Sequence, residues 1–194
     1  MTSELIKSST FQDSSFYMTY LHDIGFVIRR VNLGEADRFV TIFTQNNGKV
    51  EVLAKGVRKI TSKRSSHIEL LNLVRFHSVK TSKNFILTEV ELVDSYEGRK
   101  ADLKQCEIAF FVCELIDNLC PHGQVSPELF SIVVTFLKRG AHSDEALLEF
   151  ETQILSTLGY WNVEKKFSTE EESRLFIESL IERKMKSRII GNFS

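Results

Sequence analysis

The sequence predicts an α+β protein in two parts, a small β-barrel followed by an all-α unit. Two observations carry that prediction. Apolar residues alternate with a period of two as far as the Glu97–Asp102 region, then recur at roughly 3.6 residues beyond it. Charge divides at the same place. Residues 1–100 hold 15 Lys+Arg against 11 Asp+Glu, net +4; residues 101–194 hold 10 against 15, net −5. A basic half joined to an acidic half reads as two modules with different partners. The expected domains are residues 18–98 and 99–194. They follow a Ser/Thr-rich leader, residues 1–17, that has little to bury and reads as disordered.

The strands come in order. Asp23–Val31 alternates Ile24, Phe26 and Ile28 on one side. Asn32–Asp37 is a turn by composition, and Glu35 and Asp37 within it are expected to bind turn amides or pair with Arg38. Arg38–Thr44 is apolar on both sides. Asn47-Gly48 closes a hairpin into Lys49–Ala54, because Asn-Gly tolerates positive φ. Leu70–Val79 and Phe85–Tyr96 follow, the latter with Ile86, Val90 and Leu92 inward and Glu89 and Glu91 outward. Five short strands, with the longest gap between the third and fourth, suit an OB-fold, a partly open barrel that commonly binds single strands or oligosaccharides.

The helical half is punctuated by its caps. Ala101–Cys120 shows an apolar stripe at Leu103, Cys106, Phe110, Cys113, Ile116 and Cys120, and Pro121-His122-Gly123 stops it. Ser126-Pro127 opens a helix that Gly140 ends. A third runs from Asp144 to Leu158 before Gly159. Ser168-Thr169-Glu170-Glu171 reads as a capping box for a last helix, Glu170–Arg188. The three cysteines lie on one helical face, where they serve as small core residues, and a reducing, cytoplasmic setting fits them. No apolar run is long enough to span a bilayer.

Catalytic signatures are missing: no phosphate-binding glycine loop, no GxSxG, no HExxH, and five scattered histidines. The chain is therefore read as a binding protein and not an enzyme, with no metal and no cofactor. The strongest functional signal is Ala54–Arg64, a loop with five basic residues and no acid hung directly on a strand. The candidate DNA contacts are Arg29, Arg38, Lys49, Lys55, Arg58, Lys59, Lys63 and Arg64, with Arg30 divided between DNA and a pairing role inside the barrel. Among the barrel aromatics Phe26, Phe39, Phe43, Phe76 and Phe85, most are expected in the core. A basic C-terminal group, Arg183, Lys184, Lys186 and Arg188, is a candidate partner site.

Taken together, Val27-Ile28-Arg29-Arg30, Gly34-Glu35-Ala36-Asp37-Arg38, Phe43-Thr44, Gly48-Lys49 and Ala54-Lys55-Gly56-Val57-Arg58-Lys59 resemble the N-terminal OB-fold of the bacterial recombination mediator family RecO. Leu158-Gly159-Tyr160 and Lys186-Ser187-Arg188 resemble that family's later landmarks. Many members carry a four-cysteine zinc module after the Leu-Gly-Tyr segment. Here Trp161–Phe167 leads into the last helix without a cysteine, so a short form lacking the module is expected. The resemblance implies a cytoplasmic, nucleoid-associated protein of recombinational DNA repair. Such a protein binds single- and double-stranded DNA and anneals strands. It engages the C-terminal tail of the single-strand-binding protein, and with RecR it helps RecA onto coated DNA. The alternative is a generic OB-type binding module without mediator activity.

Overall fold

A computed structural model describes residues 19–96, 102–162 and 164–187. The leader and most of the expected domain boundary lie outside them. Five strands, β1 (Tyr20–Leu33), β2 (Asp37–Thr44), β3 (Gly48–Ala54), β4 (Leu73–Lys80) and β5 (Phe85–Asp94), close a barrel in the order β1-β2-β3-β5-β4. All pairs are antiparallel except β3 with β5. This is the five-stranded OB barrel that the strand count predicts. Among the described residues four helices follow, α1 (Leu103–Leu119), α2 (Pro127–Arg139), α3 (Asp144–Thr157) and α4 (Glu170–Ile181).

The first strand is longer than its alternation suggests, because it bends to serve two neighbours. Its first half pairs with β4 and its second half with β2, with a bulge between Val27 and Arg29. Gly25 sits where both pairings meet. A Cβ there would lie 2.6 Å from the Phe43 carbonyl oxygen, so only glycine admits the crossing. In β5 a second irregularity, opposite His77 and Ser78, resets the alternation. Leu87, Val90 and Leu92 face the barrel core, but Ile86, expected inward, belongs to neither core cluster. The fourth strand begins at Leu73 and not Leu70, since Leu71 adopts φ +71° and closes the preceding loop.

Two apolar clusters hold the molecule. Val27, Val40, Ile42, Val52, Val74, Phe76 and Leu87 fill the barrel. Phe26, Ile28, Phe43, Leu71 and Leu73 instead point out of it into a cluster shared with all four helices. Phe130 of α2 packs on both Phe26 and Phe43, at ring-centroid distances of 5.8 and 5.9 Å. That explains a second strand that is apolar on both sides. The two halves therefore share one core.

In α1 the buried stripe is Ile108, Phe111, Val112, Leu115, Ile116 and Leu119. Leu103 and Phe110, assigned to the apolar stripe from sequence, are exposed. Cys113 and Cys120 lie in the core, where burial pushes their thiols up to about 12 and about 11. Asp102, Ser126, Ser143 and Thr169 cap the four helices through side-chain oxygens. At α4 the Glu172 amide donates to Thr169 Oγ1 and the Glu172 carboxylate accepts from the Ser168 amide, so the cap is Thr169 and the acid Glu172, one residue on from the expected pair. That helix ends at Ile181, not Arg188, because Glu182 turns left-handed at φ +54°. The basic group at 183–188 therefore follows the helix and does not extend it, and Arg188 is outside the described residues.

The β2–β3 turn is clamped to the helices. Gly48 has φ +65°, and a Cβ on it would come 2.2 Å from the Gln124 carbonyl oxygen in the α1–α2 connection. The Gly123 amide donates to the Lys49 carbonyl at 3.1 Å. Gly48→Ala meets both a disfavoured backbone region and a backbone clash, and is expected to lower unfolding free energy by about 2–4 kcal/mol. Urea denaturation of the full chain checks this.

Where α3 meets α4, Glu151 is buried and Ser173 Oγ donates to its carboxylate. Burial is the main cause that pushes this carboxyl up to about 7; the Ser173 bond opposes it and the Glu170 charge adds to it. Glu170 is itself raised, by burial and by Asp144. Between an ordinary carboxylate value near 4.5 and about 7, the native state holds a proton that the unfolded chain has lost. Stability is therefore expected to fall as pH rises through that window and then to level off. Glu151→Gln should flatten the decline and raise stability at pH ~8 by about 1–3 kcal/mol, read from urea midpoints at acid and alkaline pH. Glu114 acts in a separate range. Burial raises its pKa, but hydrogen bonds from Ser187 and Lys186, with Arg183 nearby, outweigh burial and lower it. Its contribution is lost only as pH falls below the ordinary carboxylate range.

Candidate nucleic-acid interface

The basic loop is the β3–β4 connection, and the barrel holds it firmly. Val57 and Ile68 are fully buried in the barrel core. At its start, the Gly56 amide donates to Asp37 Oδ1 at 2.7 Å and the Arg58 amide to the Ala36 carbonyl at 2.9 Å. Arg58 Nη1 donates to the Gly34 carbonyl at 2.7 Å. Arg64 reaches back from the far side, with Nη2 on the Lys55 carbonyl at 2.9 Å and Nη1 on the Leu87 carbonyl at 3.2 Å. Asn72 Nδ2 closes the end by donating to the Ser66 and His67 carbonyls, both at 2.9 Å. The Gly34–Asp37 turn is thus the clamp on the loop, so the two sequence runs form one unit. Asp37, expected to bind amides of its own turn or to pair with Arg38, instead accepts from an amide of the β3–β4 loop.

Lys55, Arg58, Lys59 and Lys63 are exposed and Arg64 is half-buried. Among the described residues, no carboxylate lies within ion-pair distance of any of the five. The carbonyls on Arg58 and Arg64 orient the guanidinium groups without neutralising them. The result is a cationic surface in which the backbone and two guanidinium groups are held in place and three lysine side chains are free to reach a polyanion.

The other three candidates are placed differently. Lys49 is only 5% exposed. Its Nζ donates to the Asp117 carbonyl at 2.5 Å and lies 3.4 Å from Asp117 Oδ1. It pins the barrel to α1 and is not available to a phosphate. Arg29 contacts Glu51 at 3.4 Å and Asp117 at 3.5 Å, so two carboxylates already surround it. Arg38 lies beside Arg30. Both approach Glu69, Arg30 at 2.5 Å and Arg38 at 4.0 Å, and Arg38 Nε also donates to Asn32 Oδ1 at 3.0 Å. Burial and the neighbouring Arg30 lower the Arg38 pKa from its ordinary value, and Glu69 opposes them. Arg30 thus has the pairing role. Glu69 was not singled out in the sequence, where nothing marks a loop carboxylate as the partner of two arginines far away in the chain.

At the other end of the molecule, Lys184 and Lys186 are exposed. Arg183 donates to Asn118 Oδ1, and Glu114 accepts from the Lys186 amide at 2.8 Å and the Ser187 hydroxyl at 2.6 Å. These bonds tie the chain after α4 onto α1. Between α3 and α4, Trp161 stacks on Phe167 at 4.2 Å and its Nε1 donates to the Lys165 carbonyl at 2.7 Å. Among the described residues there is no group of three or more His, Cys, Asp or Glu side chains that could hold a metal, and no helix is long and apolar enough to cross a membrane.

Of the aromatics, Phe26, Phe43 and Phe76 are core residues. Phe85 is half-buried against the barrel core with Lys80 Nζ 5.8 Å from its ring, and Phe39 is half-exposed outside both clusters.

Two family models match this chain. The family model described as recombination protein O N terminal matches residues 18–96, and the one described as recombination protein O C terminal matches residues 100–184. DNA repair protein RecO of Acetivibrio thermocellus is 31% identical over 147 residues, covering 74% of this chain and 59% of that protein. The Dehalococcoides mccartyi protein of the same name is 31% identical, with the same coverages. That of a Roseiflexus species is 34% identical over 69% of this chain and 48% of its own length. The chain therefore spans about three fifths or less of these relatives' lengths. A solved Stn1–Ten1 complex from S. pombe aligns with a TM-score of 0.32 at 16% identity, over 51% of this chain and 76% of that one. With the barrel matched by the N-terminal family model and the helices by the C-terminal one, in chain order, this chain belongs to the RecO family.

Proposed function

We propose that this chain binds single- and double-stranded DNA through the β3–β4 loop and works without enzymatic chemistry in recombinational DNA repair. The observation that supports this reading is the loop itself, with five cations free of carboxylate partners on a backbone that the barrel holds in place. Each cation that meets a phosphate releases condensed counterions, a gain independent of base sequence. The contact set is Lys55, Arg58, Lys59, Lys63 and Arg64. Arg29, Arg38 and Lys49 leave it because each is engaged within the fold.

Annealing follows from the same charge. Two strands repel through their phosphates, and a shared cationic surface lowers that repulsion without hydrolysing anything. The family adds the expected context of RecR, the tail of the single-strand-binding protein and delivery of RecA. The exposed Lys184 and Lys186 beside α1 suit an acidic tail. The test is twofold. Complementary oligonucleotides should anneal faster with the protein than without it. RecR and the single-strand-binding protein from the same organism should be retained by the immobilised chain. Unaccelerated annealing would remove the reading, and loss of the partners alone would reduce it to a DNA-binding module.

A further inference from the structure

The β3–β4 loop carries one side chain that neither the fold nor the proposed phosphate contacts use. Ile60 is fully exposed, the most exposed large apolar residue among those described, with Leu103 next at 76%. The Ser62 amide donates to the Lys59 carbonyl at 2.9 Å, which closes a tight turn and places Ile60 and Thr61 at its two central positions. Ile60 packs into neither core cluster. A scattered apolar residue on a surface is ordinary. What sets Ile60 apart is its place, at the tip of a turn between Lys59 and Lys63, in a loop that holds no acid from Lys55 to Arg64.

The base of this tip is held. Val57 and Ile68 anchor the loop in the barrel core, Arg58 is bonded to Gly34, and Arg64 to Lys55. The Lys59 amide donates to the Gly56 carbonyl at 3.3 Å, so one turn leads directly into the next. A β-branched side chain adds little freedom of its own, because its χ1 is restricted. The tip is thus a short apolar point on a held backbone, with a lysine on either side of it in the chain. A partner that takes it must present anionic charge on both flanks of an apolar cleft. Duplex DNA has that arrangement at its minor groove, which is about 6 Å wide, with phosphates along both edges and apolar base faces stacked between them. An apolar side chain that enters there unstacks a base step, and the cost is least where the step is already weakened by a mismatch.

We infer that Ile60 is a wedge that enters duplex DNA at weakened base steps while the loop cations hold the phosphates on either side. The inference rests on the proposed DNA binding and adds to it a preference among duplexes. Phosphate contacts do not distinguish a matched duplex from a mismatched one, since both carry the same backbone charge. The wedge does, because burial of the Ile60 side chain outweighs unstacking only where unstacking is cheap. The consequence for annealing is retention. The protein stays longer on a duplex that is still imperfectly paired and leaves one that is complete.

The experiment measures the affinity of the full chain at fixed salt for two duplexes of equal length, one fully matched and one with a single central A·C mismatch, and for oligo-dT. The wild type is expected to bind the mismatched duplex about tenfold more tightly than the matched one. Ile60→Ser should abolish that preference and leave the salt slope and the urea midpoint unchanged. It should alter affinity for oligo-dT and for the matched duplex by less than about twofold, since the cations remain. Ile60→Leu should keep the preference, because the apolar point is preserved. A fluorescent adenine analogue placed beside the mismatch should brighten with the wild type and not with Ile60→Ser, reporting the loss of stacking. Equal wild-type affinity for the two duplexes, or a preference that survives Ile60→Ser, would overturn the inference and leave the DNA-binding reading intact. So would equal brightening by the two proteins. A wild-type chain that bound none of the three ligands would bring down the reading beneath it.

Discussion

Replacing Lys55, Lys59 and Lys63 together by glutamate is expected to lower single-strand affinity by at least ~100-fold at about 0.1 M salt. The estimate follows from counterion release, where three lost contacts remove about 0.7 each from the slope of log affinity against log salt. At one tenth molar that amounts to about two decades, and the reversed charges add repulsion to it. These three are the clean positions because the described hydrogen bonds and ion pairs use none of their side chains. Arg58 and Arg64 are left in place since their bonds to Gly34, Lys55 and Leu87 hold the loop. Annealing should fall in parallel, and the urea midpoint should stay near that of the wild type. Wild-type affinity in the triple variant would refute the proposed surface.

Lys49 is expected to behave in the opposite manner. Lys49→Ala removes a buried ammonium and strands Asp117 at the barrel–helix junction. Breaking a buried pair from one side should cost about 3–5 kcal/mol of unfolding free energy. Arg29 stays within 3.5 Å of Asp117 and softens the loss, so the lower end of that range is the expected value. Single-strand affinity and salt slope of the folded variant should match the wild type. A changed slope with unchanged stability would put Lys49 back among the DNA contacts. The contrast separates two lysines that are six residues apart and equally basic in the sequence.

That contrast marks where the sequence stops being readable. The alternation in β3 places Lys49, Glu51 and Leu53 on one face and Val50, Val52 and Ala54 on the other, and the fold keeps that division. What the alternation does not encode is what covers the outer face. At Lys49 it is α1, through an aspartate 68 residues further along the chain. Leu53 sits on the same outer face between its cross-strand neighbours Phe39 and Ile86. The succession of strands along the chain was legible because turn residues such as Asn47-Gly48 punctuate it. The inward assignment of Ile86 failed because a bulge resets the period locally and leaves no residue signature. The last helix was drawn too long for a similar reason. Its composition continues to Arg188, but Glu182 adopts a left-handed conformation and the chain turns back onto Glu114. The basic loop was legible as charge, and its rigidity was not, because the clamp is made by carbonyls and one aspartate from the β1–β2 turn.

The proposed binding mode has five cations of the β3–β4 loop holding DNA by its phosphates. Its most direct test is the wild-type affinity for oligo-dT measured across a range of salt. The account predicts a straight line in log–log form with a slope of about −3.5, steepening to about −4.5 for a duplex. A slope near zero on both ligands, with the protein folded, would contradict it.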